Sequence, residues 1–176
     1  MDSIEVPASL VIDDLSRPFP ESANGSNWRL FTDQVMGGIS RGRLSKDRIL
    51  GRQGIRMHGD VSLENNGGFI QMSLALAEDG AFDASVWRGI AIDVAGAPGA
   101  YELRLRTTEL SRPWESYRHA FAVSTHWTTQ HLCFVDFSPH RTGIPLNLQG
   151  LRRLGLIAIG EAFTADLALG GIRFFS

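Results

Sequence analysis

The stretch Tyr101-Glu102-Leu103-Arg104-Leu105-Arg106-Thr107 decides the fold. Tyr101, Leu103 and Leu105 alternate with Glu102, Arg104 and Arg106, and a period of two marks a strand with one dry face and one wet face. The same beat recurs on either side. Ile90, Ile92 and Val94 alternate with Ala91 and Asp93, while Ile70, Met72 and Leu74 alternate with Phe69, Gln71 and Ser73. Further short apolar runs lie at 9–12, 54–61, 117–123, 127–134, 154–159 and 166–175. Nineteen glycines fall largely between such runs, as turns do between strands. No window keeps the i, i+3, i+4, i+7 spacing of a long helix, and at most 147–154 makes a short helical turn. Around nine short strands predict an all-β fold, an antiparallel β-sandwich or barrel. It is expected as one domain over 1–176, with 1–8 as a flexible N-terminal arm. Loops are expected at 18–27 and 108–116, and Gly96-Ala97-Pro98-Gly99 and Glu64-Asn65-Asn66-Gly67-Gly68-Phe69 read as hairpin turns.

Composition bounds the function. With 176 residues, 43% hydrophobic and 20% charged, the chain is long enough to bury a core and too apolar for disorder. A net charge of -2 gives no bulk attraction to nucleic acid or to an anionic membrane. A single cysteine, Cys133, excludes an intramolecular disulfide. The acidic start Met1-Asp2-Ser3-Ile4-Glu5 resembles neither a secretory signal nor a transit peptide, so a cytoplasmic location without membrane insertion is expected.

Catalytic motifs are missing. His58, His119, His126, His131 and His140 show no zinc spacing. His131 and Cys133 share a strand face, but read best as an edge position and a buried thiol. There is no Gly-x-Ser-x-Gly elbow and no phosphate loop. Asp13-Asp14 and Glu78-Asp79 are adjacent carboxylates that diverge on extended backbone. The expectation is a protein that is not an enzyme and holds no cofactor.

One segment is specified beyond its role as a connection: Thr32-Asp33-Gln34-Val35-Met36-Gly37-Gly38-Ile39-Ser40. Paired glycines permit a positive φ or a close approach of other atoms. Asp33 and Ser40 bracket them with short hydrogen-bonding side chains. Either Asp33 pins its own turn, or the loop backs a ligand groove.

That run, followed by Gly59-Asp60-Val61-Ser62-Leu63-Glu64-Asn65-Asn66-Gly67-Gly68-Phe69, resembles the complex I intermediate-associated protein 30 family. Trp87-Arg88-Gly89-Ile90, the 101–107 strand, Ser116-Tyr117, Phe121, Trp127, Phe134 and Phe137 continue the resemblance from about Val11 to Phe174. Cys133, where proline is expected, and Ser73, where a basic residue often stands, depart from it. The resemblance implies a galactose-binding-like β-sandwich of jelly-roll type. It also implies a binding or assembly domain that recognises a protein partner, such as a respiratory-complex subunit or assembly intermediate. The alternative is an intracellular carbohydrate- or small-ligand-binding module. By analogy with the fold, Asp13, Asp14 and Asp166 are candidates for a structural calcium ion. Trp114 and Trp28 are the candidate exposed aromatics. One groove is expected to gather Asp33, Met36, Gly37, Gly38, Ser40, Asn66, Gly68, Arg104, Arg106, Trp114 and Tyr117. Within it Asp33 would pair an arginine, and Tyr117 would return beside Arg104 and Arg106 on a neighbouring strand.

Overall fold

The computed structural model describes residues 7–176. Twelve strands run through them: β1 (Ser9–Asp13), β2 (Arg29–Thr32), β3 (Arg41–Ile49), β4 (Arg52–Val61), β5 (Phe69–Ala75) and β6 (Gly89–Gly96), then β7 (Tyr101–Thr107), β8 (Ser116–Phe121), β9 (Thr128–Cys133), β10 (Ser138–His140), β11 (Leu151–Ile159) and β12 (Phe163–Phe175). They form two antiparallel sheets of six strands. One has the order β3-β4-β12-β6-β9, with β1 also paired to β12; the other has the order β10-β8-β7-β11-β5-β2. The all-β architecture is as the alternation predicts, and of its two alternatives the structure has the sandwich that the resemblance implies.

Each expected run is a strand, and three strands were not expected: β2, β3 and β10. All three are sheet edges. An edge strand is solvated along one side, so it needs no strong apolar alternation and tolerates charges and proline. Arg41-Gly42-Arg43 in β3 and Pro139 in β10 fit that description.

The inner faces make the core. Ile70, Met72 and Leu74 of β5, Leu103 and Leu105 of β7, and Leu156 of β11 are fully buried, as are Ile90, Ile92, Val94, Leu167 and Leu169 of the other sheet. Each such side chain contributes roughly 1.5–3 kcal/mol over its exposed state. Phe174 stacks on Phe82 at 4.9 Å between centroids, with Trp87 and Phe134 beside it. Trp28, a candidate for either an exposed contact or core packing, is 3% exposed and belongs to the core. Its indole N–H donates to Asp13 at 2.7 Å, so the ring is buried with its polar end satisfied.

Two connections differ from expectation. β6 and β7 belong to different sheets, so Gly96–Gly99 turns a corner between layers instead of closing a hairpin. The segment 62–68 likewise carries the chain from β4 to β5 across the sandwich. Local turn chemistry cannot tell these cases apart, because both ask for glycine. The helical turn expected in 147–154 is Leu148–Gly150, started by the Asn147 side chain accepting from the Gln149 N–H. Of the expected arm, residues 1–6 lie outside the described residues, and the Ala8 carbonyl accepts from the Ser176 N–H at 3.1 Å. Among the described residues no helix is long and apolar enough to cross a membrane.

Candidate functional site

The chemistry-bearing residues fall into two places. The first is a clasp around Asp33, which follows edge strand β2 and is 0% exposed. Thr32 starts a 3-10 turn over Asp33–Met36, and Gly37 ends it in the left-handed region at φ 87°. Gly38 answers the second need of the glycine pair: any Cβ there would collide with the Asp33 carboxylate. That carboxylate accepts the Ser40 N–H at 2.9 Å, the Ser40 hydroxyl, the Gly68 N–H at 2.6 Å and the Phe69 N–H at 3.3 Å. Ser40 in turn accepts the Ser62 N–H at 2.9 Å. Burial alone pushes the Asp33 acid up, but the hydroxyl and three amides outweigh it and hold the group below the ordinary aspartate value. One ionised side chain therefore locks the loops 33–40 and 62–69 together. On them Val35, Met36, Leu63 and Ile39 remain 73%, 61%, 50% and 44% exposed.

The second place is the outer face of the sheet β10-β8-β7-β11-β5-β2. Register sets one row as Arg29, Ser73, Gly155, Arg104, Arg118 and Ser138, from edge to edge. The next puts Ala75, Arg153 and Arg106 side by side. Glu102 serves Arg104 at 2.8 Å and reaches Arg118 at 3.9 Å. Arg104 also donates to the Ser116 hydroxyl at 3.2 Å. Arg106 donates to the Arg112 carbonyl at 3.0 Å, while its Nε is buried without a hydrogen-bond partner. Burial, then Arg153 and Arg152, push the Arg106 guanidinium below its ordinary value. His140, on β10, is also pushed down, by burial and then by Arg104 and Arg118. Burial is the larger cause of both shifts, and neighbouring arginines add to each. Shallow depressions open at the two ends of this face: about 500 Å³ beside Glu102 and Arg118, and about 290 Å³ between Arg29 and Arg153.

The single expected groove is therefore split. Asp33, Met36, Gly37, Gly38, Ser40, Asn66 and Gly68 do share the clasp loops. Arg104 and Arg106 do not join them. Between β2 and β7 stand β5 and β11, three spacings of roughly 4.8 Å, or about 14 Å in all. Asp33 moreover is buried and already accepts four hydrogen bonds from its own loops. Tyr117 does return on β8 beside β7, but it pairs with Leu105, and Arg118 is the residue opposite Arg104. One residue of register moves a side chain through the sheet. Tyr117 is accordingly buried in the core, its hydroxyl donating to the Ile144 carbonyl at 2.7 Å. Trp114 is half exposed in the 108–116 loop, with the Arg112 guanidinium 5.6 Å from its ring centre.

The calcium candidates do not converge. Asp13 accepts from Leu15, Ala23 and Trp28, Asp14 from Ser16, and Asp166 forms a two-pronged pair with Arg56. Among the described residues no group of three or more His, Cys, Asp or Glu side chains is placed to hold a metal ion. Arg29, Arg118 and Arg153 escaped the sequence reading. Arg29 lies on an edge strand with no periodic signal, and the other two stand on strands whose register only pairing reveals.

The sequence profile of the complex I intermediate-associated protein 30 family matches residues 18–169. No curated protein sequence matches the chain. Among solved structures, it is similar to the family 11 carbohydrate-binding module of a cellulosomal cellulase of Clostridium thermocellum. The TM-score is 0.74 at 12% identity, over 98% of this chain and 96% of that one. The same module in complex with a beta-1,3-1,4-mixed-linked tetrasaccharide matches at TM-score 0.74 and 11% identity, over 98% of both chains. A family 30 module from a cellulosomal cellulase of the same organism matches at TM-score 0.59 and 15% identity, over 79% of this chain and 91% of that one. These likenesses establish the fold as a jelly-roll of the galactose-binding-like type.

Proposed function

Because the chain belongs to the complex I intermediate-associated protein 30 family, we propose that it is a non-enzymatic binding domain that recognises a protein partner through its clasp loops. The observation that carries this reading is the exposure of Val35, Met36, Ile39 and Leu63 on two loops locked by a buried carboxylate. Apolar side chains held rigidly in water favour a protein surface, since little ordering cost remains at binding. Methionine at the tip adapts to an uneven partner. The family description supports an assembly intermediate of a respiratory complex as the partner class. A double variant Val35→Asp, Met36→Asp tests the reading, because both positions point to solvent. Immobilised wild type is expected to retain a stoichiometric protein from a native extract that the variant loses, with equal melting temperatures. Equal capture by both would overturn it.

The second reading is a carbohydrate- or small-ligand-binding module. The depressions on the arginine-lined sheet face favour it, together with the jelly-roll frame.

A further inference from the structure

Some arginines of the two sheets are matched by carboxylates and others are not. On the sheet containing β12, Arg52 and Arg173 reach Asp93 at 2.9 and 3.2 Å, and Arg56 reaches Asp166 at 2.8 Å. Every one of those three cations has its carboxylate. On the opposite sheet Arg29, Arg106 and Arg153 have no carboxylate within 4 Å among the described residues, although Arg153 and Arg106 stand directly across from each other. Like charges in that position repel, and a fold gains nothing by placing them so. The buried, unpartnered Nε of Arg106 adds a second cost on the same patch.

A concavity lies where the unmatched charge is. The depression of about 290 Å³ is lined by Arg29 and Arg153, by Ser73 and Asn27, and by Phe31 and Glu78. Its size suits a single ring bearing one charged group, at the small end of ligand sites. The two guanidinium forks match an oxyanion, Ser73 and Asn27 can meet hydroxyls, and Phe31 offers an apolar edge. Glu78 accepts hydroxyl protons and leaves two cations against one anion, an excess of one positive charge.

We propose that this depression binds a monosaccharide-sized hydroxylated anion, its oxyanion held between Arg29 and Arg153. The proposal rests on the second reading above and deepens it by naming the ligand class. Titration calorimetry and amide chemical-shift mapping of the whole chain test it with glucuronate, glucose 6-phosphate and glucose. At least one charged sugar is expected to bind with a millimolar or tighter constant, at least ~10-fold better than glucose. Amide shifts are expected at Asn27, Ser73 and Ala75. Glucuronate as the tighter probe assigns a carboxylate, and glucose 6-phosphate as the tighter probe assigns a phosphate. Arg29→Ala and Arg153→Ala are each expected to weaken the better probe at least ~10-fold with unchanged melting. Glucose binding as well as the charged sugars overturns the proposal while leaving a carbohydrate module standing. Binding that both variants leave unaltered likewise overturns the proposal and leaves a carbohydrate module standing, whereas no binding by any probe at about 10 mM overturns both.

Discussion

Asp33 and the arginine face solve opposite problems within one sheet. At the clasp a single buried carboxylate meets a hydroxyl and three amides, so its charge is answered within the chain. On the outer face Arg29, Arg104, Arg106, Arg118 and Arg153 share Glu102, which pairs only Arg104 and Arg118. A saturated polar group belongs to the architecture; an unsaturated one is free to act. The clasp therefore fixes from beneath what Val35 and Met36 present, whereas the arginine face keeps cations that no carboxylate of the described residues matches.

Breaking the saturated side has the largest expected effect. Asp33→Ala strands the Ser40, Gly68 and Phe69 amides, and a loss of about 3 kcal/mol is expected in the unfolding free energy from urea titration. A loss below about 1 kcal/mol would show that the loops hold without it. Gly38→Ala drives a methyl group into the same carboxylate and is expected to cost about 2 kcal/mol by the same titration. Unlike Asp33→Ala, it leaves every donor in place, so its loss isolates the close approach.

Acid separates the two regions more gently. The folded Asp33 acid lies below its ordinary value, so the unfolded chain takes up the proton first. The clasp's contribution is thus whole above the unfolded value and is lost as pH falls through the folded one. Unfolding followed from pH 6 to pH 2 is expected to show stability falling below about pH 4, with a shallower fall in Asp33→Asn. Parallel curves would remove Asp33 from the account. The smallest effect belongs to the arginine side. Arg153→Ala relieves repulsion with Arg106 and is expected to leave stability unchanged or raise it by up to about 0.5 kcal/mol. A clear destabilisation, read as a lower denaturant midpoint, would mean that Arg153 is a structural partner and not a spare cation.

The near side of the clasp was readable, because Asp33 and Ser40 bracket Gly37-Gly38 within a few residues. The Gly68 and Phe69 amides, 35 and 36 residues further on, were not. The arginine face was half readable. Arg104 and Arg106 announce a shared face by period two, and the return of the next strand beside them follows from adjacency in sequence. The register of that return does not follow, and it decided that Arg118, not Tyr117, joins them. Arg29 was invisible because its strand is a solvated edge, where selection for alternating apolar residues is relaxed.

Alternation, glycine punctuation and the lack of helical spacing by themselves determined an all-β sandwich or barrel, nine of its strands and the Asp33 turn. These are properties of single segments, set by which side chains seek water within a few residues. Tertiary structure alone decided which strands share a sheet, that 96–99 and 62–68 cross between layers, and that the expected groove is two separate places. Strand pairing is a non-local choice made by the core as a whole. A shift of one residue exchanges the buried face for the wet one, and no local pattern in β8 records which register the sandwich selects.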